Sequence, residues 1–161
     1  MSASDIILKL SNIESYYGPI MAIRGISLEV PRGRIVTLLG ANGAGKTTVL
    51  KTISGILDPQ KGSIEFLGKP IQRMEADKIV RLGLSHVPEG REVFPFLSVR
   101  ENLMMGAYPR KDRDGVARAV AAGSGALGAG PRPGATHLSA MDGLGMAAAL
   151  AATLGSGSGV F

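Results

Sequence analysis

Residues 34–50 read RIVTLLGANGAGKTTVL, and this stretch decides the fold. Residues 35–39 form a short apolar, partly β-branched run, which is typical of a strand buried on both faces. Residues 40–47, GANGAGKT, fit the pattern G-x-x-x-x-G-K-[ST] at every fixed position. Residues 48–51 continue as a predicted helix that ends near Gly55. A strand, a glycine-rich turn and a helix in this order are the context that a phosphate-binding loop requires.

The residue types of this loop suit a nucleoside triphosphate. Gly40, Gly43 and Gly45 have no Cβ, so a phosphate can approach the backbone closely. The N–H groups of the loop converge as an anion nest, and the start of the helix adds partial positive charge. Lys46 suits the β- and γ-phosphates, and Thr47 supplies a hydroxyl for Mg²⁺, which prefers oxygen ligands. The alternative is a glycine-rich turn that matches by chance, which the eight positions and their flanks disfavour.

The composition limits the classes of protein to which the chain can belong. Its 161 residues allow one domain, or one domain and a fragment. The net charge is +5 without a run of lysine or arginine, so nucleic-acid binding is not indicated. Cysteine is absent, which fits a reducing cytoplasm. The N-terminus lacks the features of a signal peptide, and no apolar run approaches the roughly 20 residues that span a bilayer. We therefore expect no transmembrane segment and a membrane connection only through a partner.

The remaining elements around the loop are predicted from apolar patterning and turn residues. Strand-like pieces at residues 6–10, 13–17, 26–30 and 63–67 predict a small antiparallel sheet beside a parallel core. A helix over residues 75–82 is stopped by Gly83, and a strand over residues 84–87 is followed by the polar loop 88–91. Ser98 begins another helix, with Glu101 as its capping-box partner.

The character of the chain changes towards its end. From Gly115 to Phe161 there are three formal charges, and alanine and glycine dominate. Residues 123–125 and 155–159 are typical of flexible linkers, and residues 146–154 predict an alanine-rich helical piece. We expect this tail to be loosely ordered or wrongly packed, and to contain no strand that flanks the central one. An open apolar edge would then cause poor solubility or dependence on a partner.

Several segments together resemble the ATP-binding subunits of ABC transporters, especially the LivF-type subunit of branched-chain amino-acid importers. They are SYYGPIMAIRGISLEV, LLGANGAGKTTVLKTISGIL, KGSIEFLGKPI and IVRLGLSHVPEGREVFPFLSVRENLMMGAY, of which HVPEGR with VFPFLSVREN is the most specific. The resemblance covers residues 5 to about 113. It implies an α/β fold of the P-loop NTPase class (ABC ATPase type) with a small antiparallel β subdomain and an incomplete core. Residues 1–113 would be the N-terminal part of the ATP-binding domain, and residues 114–161 an Ala/Gly-rich tail that is not a domain.

The resemblance also implies ligands, partners and location. The ligands are ATP and Mg²⁺, and the partners are membrane permease subunits and a second ATP-binding subunit. The protein would then be cytoplasmic, held on the inner face of the cell membrane through those partners. The implied nucleotide site comprises Tyr17, Gly40, Asn42, Gly43, Ala44, Gly45, Lys46, Thr47 and Thr48.

Two of the implied roles have open alternatives. Tyr17 stands where the family places an aromatic ring against adenine, although a strand-end tyrosine packed on the sheet is possible and Tyr16 is the other candidate. Glu89 stands where most of the family has a glutamine that touches Mg²⁺ and the attacking water. It is therefore a metal-ligand candidate with Thr47 and a catalytic candidate with Lys46, or else a solvated loop charge.

Further residues near this loop are interpreted more simply. His86 lies in a predicted strand and is expected to pack there without a catalytic role. Phe94, Pro95 and Phe96 resemble the surface by which such subunits touch their membrane partner, and the alternative is a buried apolar turn.

The chain departs from the family pattern in its last third. It contains no LSGGQ-like signature, and residues 138–142 share only its first two residues. It has no apolar strand ending in Asp-Glu, because Asp142 is the sole acidic residue after Asp114. His137 is expected to lie in a loop. The sequence therefore predicts that ATP hydrolysis is very slow or absent. The alanine- and glycine-rich composition is typical of a GC-rich coding sequence, which suggests a frame shift or gene decay as the cause.

Three functions remain open from the sequence. The first is an ATPase subunit of an amino-acid importer in incomplete form, and the second is a nucleotide-binding module without turnover. The third is another P-loop enzyme, such as a small kinase, which the HVPEGR segment disfavours.

Overall fold

The computed structural model of the chain describes residues 6–88, 93–123, 135–141 and 147–153. The chain divides into two compact units, Met1–Pro88 with Gly134–Phe161, and Glu89–Pro133. In chain order the elements are β1 Ile6–Tyr17, β2 Ile20–Pro31, β3 Ile35–Leu38, α1 Lys46–Ile53, β4 Lys61–Phe66, β5 Lys69–Pro70, α2 Ala76–Arg81, β6 Leu84–Val87, α3 Val99–Gly106, α4 Arg113–Gly123, β7 Ala135–Met141 and β8 Ala147–Thr153.

The predicted antiparallel sheet is present in the first unit. Its strand order is β2-β1-β4-β5, and every neighbouring pair is antiparallel. Leu8 and Leu10 of β1 face the core, while Lys9 between them is exposed and pairs with Glu29 across the strands, 3.0 Å apart. Alternation of apolar and polar residues therefore sets one buried and one solvated face, as expected for a half-buried strand.

One long strand replaces the two short pieces that the sequence predicts between residues 6 and 17. The register of β1 against β2 shifts between Leu10 and Ile13, where Asn12 adopts φ +50°. The backbone N–H of Asn12 donates to Ser27 Oγ at 2.9 Å, so the residue that leaves the regular ladder is still hydrogen-bonded. This irregularity shifts the alternation and brings Ile13 and Ser15 into the core.

The second sheet contradicts three predictions for the tail. Its order is β3-β8-β7-β6, so two tail strands separate the central strand from β6. Residues 147–153 form a strand where a helical piece was predicted, and His137 lies in β7 where a loop was predicted. The predicted lack of tail strands is therefore also wrong. Alanine favours a helix locally, but pairing with β3 and β7 satisfies the backbone of β8 and overrides that preference. Residues 142–146 and 154–161 lie outside the described part.

The parallel core is smaller than predicted. β3 and β8 run parallel, with Ile35 opposite Ala149 and Leu38 opposite Ala152, whereas β7 is antiparallel to both β8 and β6. The prediction that β3 is buried on both faces is wrong. Val36 and Leu38 pack on the core, while Ile35 and Leu39 are each 77% exposed. Within the described residues, the second face of β3 has no helix packed on it.

The core of the first unit lies between the antiparallel sheet and α1. Val49, Leu50 and Ile53 form the buried face of α1, and they belong to the same buried cluster as Phe66 and other apolar side chains of the sheet. α2 is ended by Gly83, whose φ of +102° belongs to the left-handed region that glycine tolerates. That prediction is confirmed, as is the strand over residues 84–87.

The second unit contains two helices in its described part. Ser98 caps α3 as predicted: its Oγ accepts from the N–H of Glu101, and its own N–H donates to Glu101 Oε2 at 2.7 Å. Between α3 and α4 lies a cavity of about 310 Å³, lined by Asn102, Leu103, Gly106, Ala107, Arg110, Val116 and Val120. In the described ranges of the chain, no helix is long and apolar enough to cross a membrane.

Candidate nucleotide-binding site

The glycine-rich loop connects the end of β3 to the start of α1, as the sequence predicts. Gly43 and Gly45 adopt φ of +80° and +88°, and the N–H of Ala44 donates to the carbonyl of Ala41 to close a turn. Gly45 is the N-cap of α1 and provides no side-chain acceptor for the first turn. The N–H groups of that turn are therefore available to an anion, and the helix dipole favours negative charge there.

Lys46 lies within the loop and points back along it. Lys46 is only 6% exposed, and its Nζ donates to the carbonyls of Gly40 and Ala41, each at 2.7 Å. These two bonds hold the ammonium group at the centre of the turn. The lysine that the motif assigns to phosphate therefore lies where the loop backbone converges.

The loop is held against the antiparallel sheet through Gly45. A Cβ at this position would lie 2.7 Å from Ile23 Cγ2 and 3.0 Å from the carbonyl oxygen of Ala22, both on β2. Gly45 is therefore needed for close packing against β2 as well as for its backbone conformation. Sequence reasoning missed Ala22 and Ile23, because no local pattern marks a strand residue that touches a loop 22 positions later.

The other predicted loop residues differ in accessibility. Asn42, Gly43 and Ala44 are exposed, and a Cβ on Gly43 would meet nothing within 4 Å. Thr47 is half-buried in the first turn of α1. Thr48 is buried, and its carbonyl accepts from Thr52 Oγ1 at 2.8 Å.

Tyr17 lies at the end of β1 and is 46% exposed, whereas Tyr16 is half-buried. The register places Tyr17 opposite Ile20 and Ser15 opposite Ile23, the residue that contacts Gly45. Two residues of extended chain span about 7 Å. Tyr17 therefore lies about 7 Å along β1 from Ser15, the residue opposite Ile23.

His86 lies in β6, in a strand as the sequence predicts, and contacts Ser54 at the end of α1. Its Nδ1 lies 3.1 Å from Ser54 Oγ, and its buried Nε2 has no hydrogen-bond partner among the side chains and backbone that the structure describes. Burial lowers the pKa of this imidazole below its ordinary value, and the positive charge of Lys51 lowers it further. Glu89, the other candidate near this strand, lies outside the described residues.

The second unit exposes the aromatic residues that resembled a partner surface. Phe96 is 99% exposed, and Phe94 and Pro95 are also exposed, so the alternative of a buried apolar turn is wrong. Asn102 of α3 holds this segment: its Oδ1 accepts from the N–H of Phe94, and its Nδ2 donates to the carbonyls of Phe94, Leu97 and Ser98. A side chain on α3 therefore orders an exposed apolar loop.

The described residues contain no group of three His, Asp or Glu side chains that holds a metal by itself. Thr47, in the first turn of α1, carries a hydroxyl oxygen of the kind that Mg²⁺ prefers, so it fits the role of a metal ligand chemically.

Comparison with known proteins decides the family to which the chain belongs. A family model described as ABC transporter matches residues 23–154, which is most of the chain. The chain belongs to the ABC transporter family. This ABC transporter match extends past residue 113, the limit of the predicted resemblance; the division of the chain at that residue stays a prediction.

Solved structures support the same assignment for the fold. The ATP-binding subunit of an ABC transporter aligns with a TM-score of 0.60 at 26% identity, covering 68% of this chain and 45% of that one. The cbiO1 protein of Clostridium perfringens, described as part of the ABC transporter complex cbiONQ, aligns with a TM-score of 0.55 at 28% identity. That alignment covers 71% of this chain and 47% of cbiO1. The predicted P-loop NTPase fold of the ABC ATPase type is confirmed.

Curated relatives differ in what they are named for. The high-affinity branched-chain amino acid transport ATP-binding protein BraG of Pseudomonas aeruginosa is 44% identical over 102 residues, which are 63% of this chain. The ribose import ATP-binding protein RbsA of a Ruegeria species is 37% identical over 103 residues, or 64% of this chain. The chain spans 44% of BraG and 20% of RbsA. Membership of the ABC transporter family is shown, and these relatives do not decide what the transporter carries.

Proposed function

We propose that this chain binds Mg-ATP as the nucleotide-binding part of an ABC importer subunit. The position of Lys46 carries the proposal, because its ammonium lies at the convergence of the loop backbone and at the start of α1. In this assignment Lys46 and the loop N–H groups bind the β- and γ-phosphates, and Thr47 holds Mg²⁺. Tyr17 stacks on adenine, and Glu89 is a further oxygen ligand for the metal.

The proposal includes membrane permease subunits as partners, with a second ATP-binding subunit alongside. Exposed apolar side chains of the second unit support it: Phe94 and Phe96 lie on an ordered loop, and a folded protein rarely leaves such side chains uncovered without a partner. The protein would then be cytoplasmic and peripheral on the inner face of the membrane. Phe96→Ser should abolish co-purification with those permease subunits, while the matched surface change Tyr108→Ser should leave it intact.

Branched-chain amino acids are the proposed cargo of the importer. The HVPEGR segment and the 44% identity to BraG favour this LivF-type assignment over sugar import. Co-expression with the permease subunits of a branched-chain amino-acid importer and, separately, of a ribose importer would test it. Selective co-purification with the ribose permease would overturn the assignment.

We further propose that the chain binds ATP without appreciable turnover. Residues 1–161 contain neither an LSGGQ-like signature nor an Asp-Glu strand end, and phosphoryl transfer needs groups that orient water in addition to a phosphate cradle. In this proposal the chain is an ATPase subunit whose residues 114–161 depart from the family pattern; a nucleotide-binding fragment with a separate role is the alternative.

A thermal-shift assay with a parallel phosphate-release assay tests both parts. Mg-ATP should raise the melting temperature of the wild type, and Lys46→Ala should abolish that rise. Lys51→Ala, a lysine on the same helix away from the loop, is the matched control and should retain the rise. Phosphate release that disappears in Lys46→Ala would refute the absence of turnover, and a wild type without any thermal shift would refute nucleotide binding.

A further inference from the structure

A buried chain of polar groups joins β1 to α1. Ser15 of β1 is fully buried, and its Oγ lies 3.1 Å from Thr52 Oγ1 of α1. The Thr52 hydroxyl donates to the carbonyl of Thr48 at 2.8 Å. Each hydroxyl has a single hydrogen, so Ser15 must donate to Thr52. This is the one direction that satisfies both hydroxyls.

Ser15 lies where the ladder between β1 and β2 is irregular. The register of β1 against β2 shifts between Ile13 and Ser15 and again between Ser15 and Tyr16. On the other edge of β1, Glu14 is opposite Lys61 of β4, and its carbonyl accepts from the N–H of Gln60 at 2.9 Å. The contact of Ser15 with α1 adds a constraint from the helix to those that the two neighbouring strands provide.

Ile23, the residue opposite Ser15 on β2, also contacts α1. Ser15 is opposite Ile23, and Ile23 packs against Gly45 at the start of α1. This pair of opposite residues therefore contacts α1 at two points. Ser15 contacts Thr52 near the C-terminal end of the helix, and Ile23 contacts Gly45, its N-cap. Tyr17 follows Ser15 by two residues, about 7 Å of extended chain.

We propose that Ser15, acting through Thr52, is a positioning residue that sets the distance between Tyr17 and the phosphate-binding loop. It thereby favours adenosine nucleotides over bare polyphosphate. The inference rests on the proposed function, because it requires Tyr17 to contact the base and the loop to bind the phosphates.

Dissociation constants for Mg-ATP and for magnesium tripolyphosphate test the inference. Tripolyphosphate reports on the loop alone, while ATP reports on the loop and the base together. In Ser15→Ala and in Thr52→Val we expect ATP to bind about five- to tenfold more weakly, a factor within what base–aromatic stacking contributes. Affinity for tripolyphosphate should stay unchanged.

Three further variants guard against a purely structural effect. The double variant Ser15→Ala with Thr52→Val removes both hydroxyls, so neither is left unpaired and the chain should fold while ATP binding stays weak. Thr52→Ser keeps the hydroxyl and should restore ATP affinity. Ser85→Ala, at an exposed position of β6, should behave as the wild type.

The outcomes separate this inference from the proposed function. Equal loss of both ligands in Ser15→Ala would make the contact merely structural and overturn the inference. Weak ATP binding in Tyr17→Ala together with normal ATP binding in the Ser15 and Thr52 variants would also overturn it, while the nucleotide site would stand. A wild type that binds neither ligand would refute the proposed function, and the inference with it.

Discussion

Replacing Gly45 with alanine tests how tightly the phosphate-binding loop packs on β2. The backbone at Gly45 has φ +88°, a left-handed conformation that costs a non-glycine residue about 1–2 kcal/mol. The new methyl would also lie 2.7 Å from Ile23 Cγ2 and 3.0 Å from the carbonyl oxygen of Ala22. Overpacking of this kind costs about 1–3 kcal/mol. The two costs sum to roughly 2–5 kcal/mol of unfolding free energy.

Gly43→Ala is the matched control, because Gly43 has a similar φ of +80° and a Cβ there would meet nothing within 4 Å. It should lose only the conformational part, about 1–2 kcal/mol. Urea unfolding followed by circular dichroism measures both variants, and the difference between them isolates the contact with β2. Adding Ile23→Ala to Gly45→Ala removes the clashing Cγ2 and should give less destabilisation than the two single changes together. Equal destabilisation by Gly45→Ala and Gly43→Ala would refute the close packing.

Other predictions follow from single contacts. Burial and the charge of Lys51 lower the pKa of His86, so the unfolded chain binds a proton at this residue more readily than the folded chain. The contribution of His86 to the free energy of unfolding should therefore be complete above pH 6.5 and decrease as the pH falls below it. Urea titrations of His86→Asn should lack this decrease. Asn102→Ala should speed amide exchange at Phe94, whose N–H donates to Asn102 Oδ1 at 2.8 Å. Asn102→Asp keeps this acceptor but places an oxygen against the carbonyls to which Nδ2 donates, so it should also speed the exchange. Ser98→Ala removes the cap of α3 and should cost about 1 kcal/mol, visible as faster amide exchange in its first turn; an unchanged exchange rate would contradict the capping contact.

Features set by neighbouring residues could be predicted from the sequence. The phosphate-binding loop is read from eight adjacent positions, and the Ser98–Glu101 capping box from four. In both, the residue type determines the local geometry directly, through a missing Cβ or a side chain of the right reach. The end of α2 at Gly83 follows for the same reason.

Features set by distant pairing could not be predicted in the same way. The alanine-rich segment of β8 becomes a strand because β3, more than a hundred residues earlier, pairs with it. The Ser15–Thr52 contact likewise joins residues 37 positions apart and leaves no pattern in either segment. The exposure of Ile35 also depends on what packs over β3, which its own apolar sequence does not reveal.

The two carbonyl bonds of Lys46 have a consequence for how a ligand is recognised. The ammonium has three N–H donors, and Gly40 and Ala41 accept two of them, so a phosphate oxygen can take the third without displacing either carbonyl. A phosphate that takes more than one donor must displace a carbonyl, and part of the gain is then cancelled by the bond given up. In the proposed nucleotide site, the net strength of binding therefore depends on how many oxygens the incoming group offers at once.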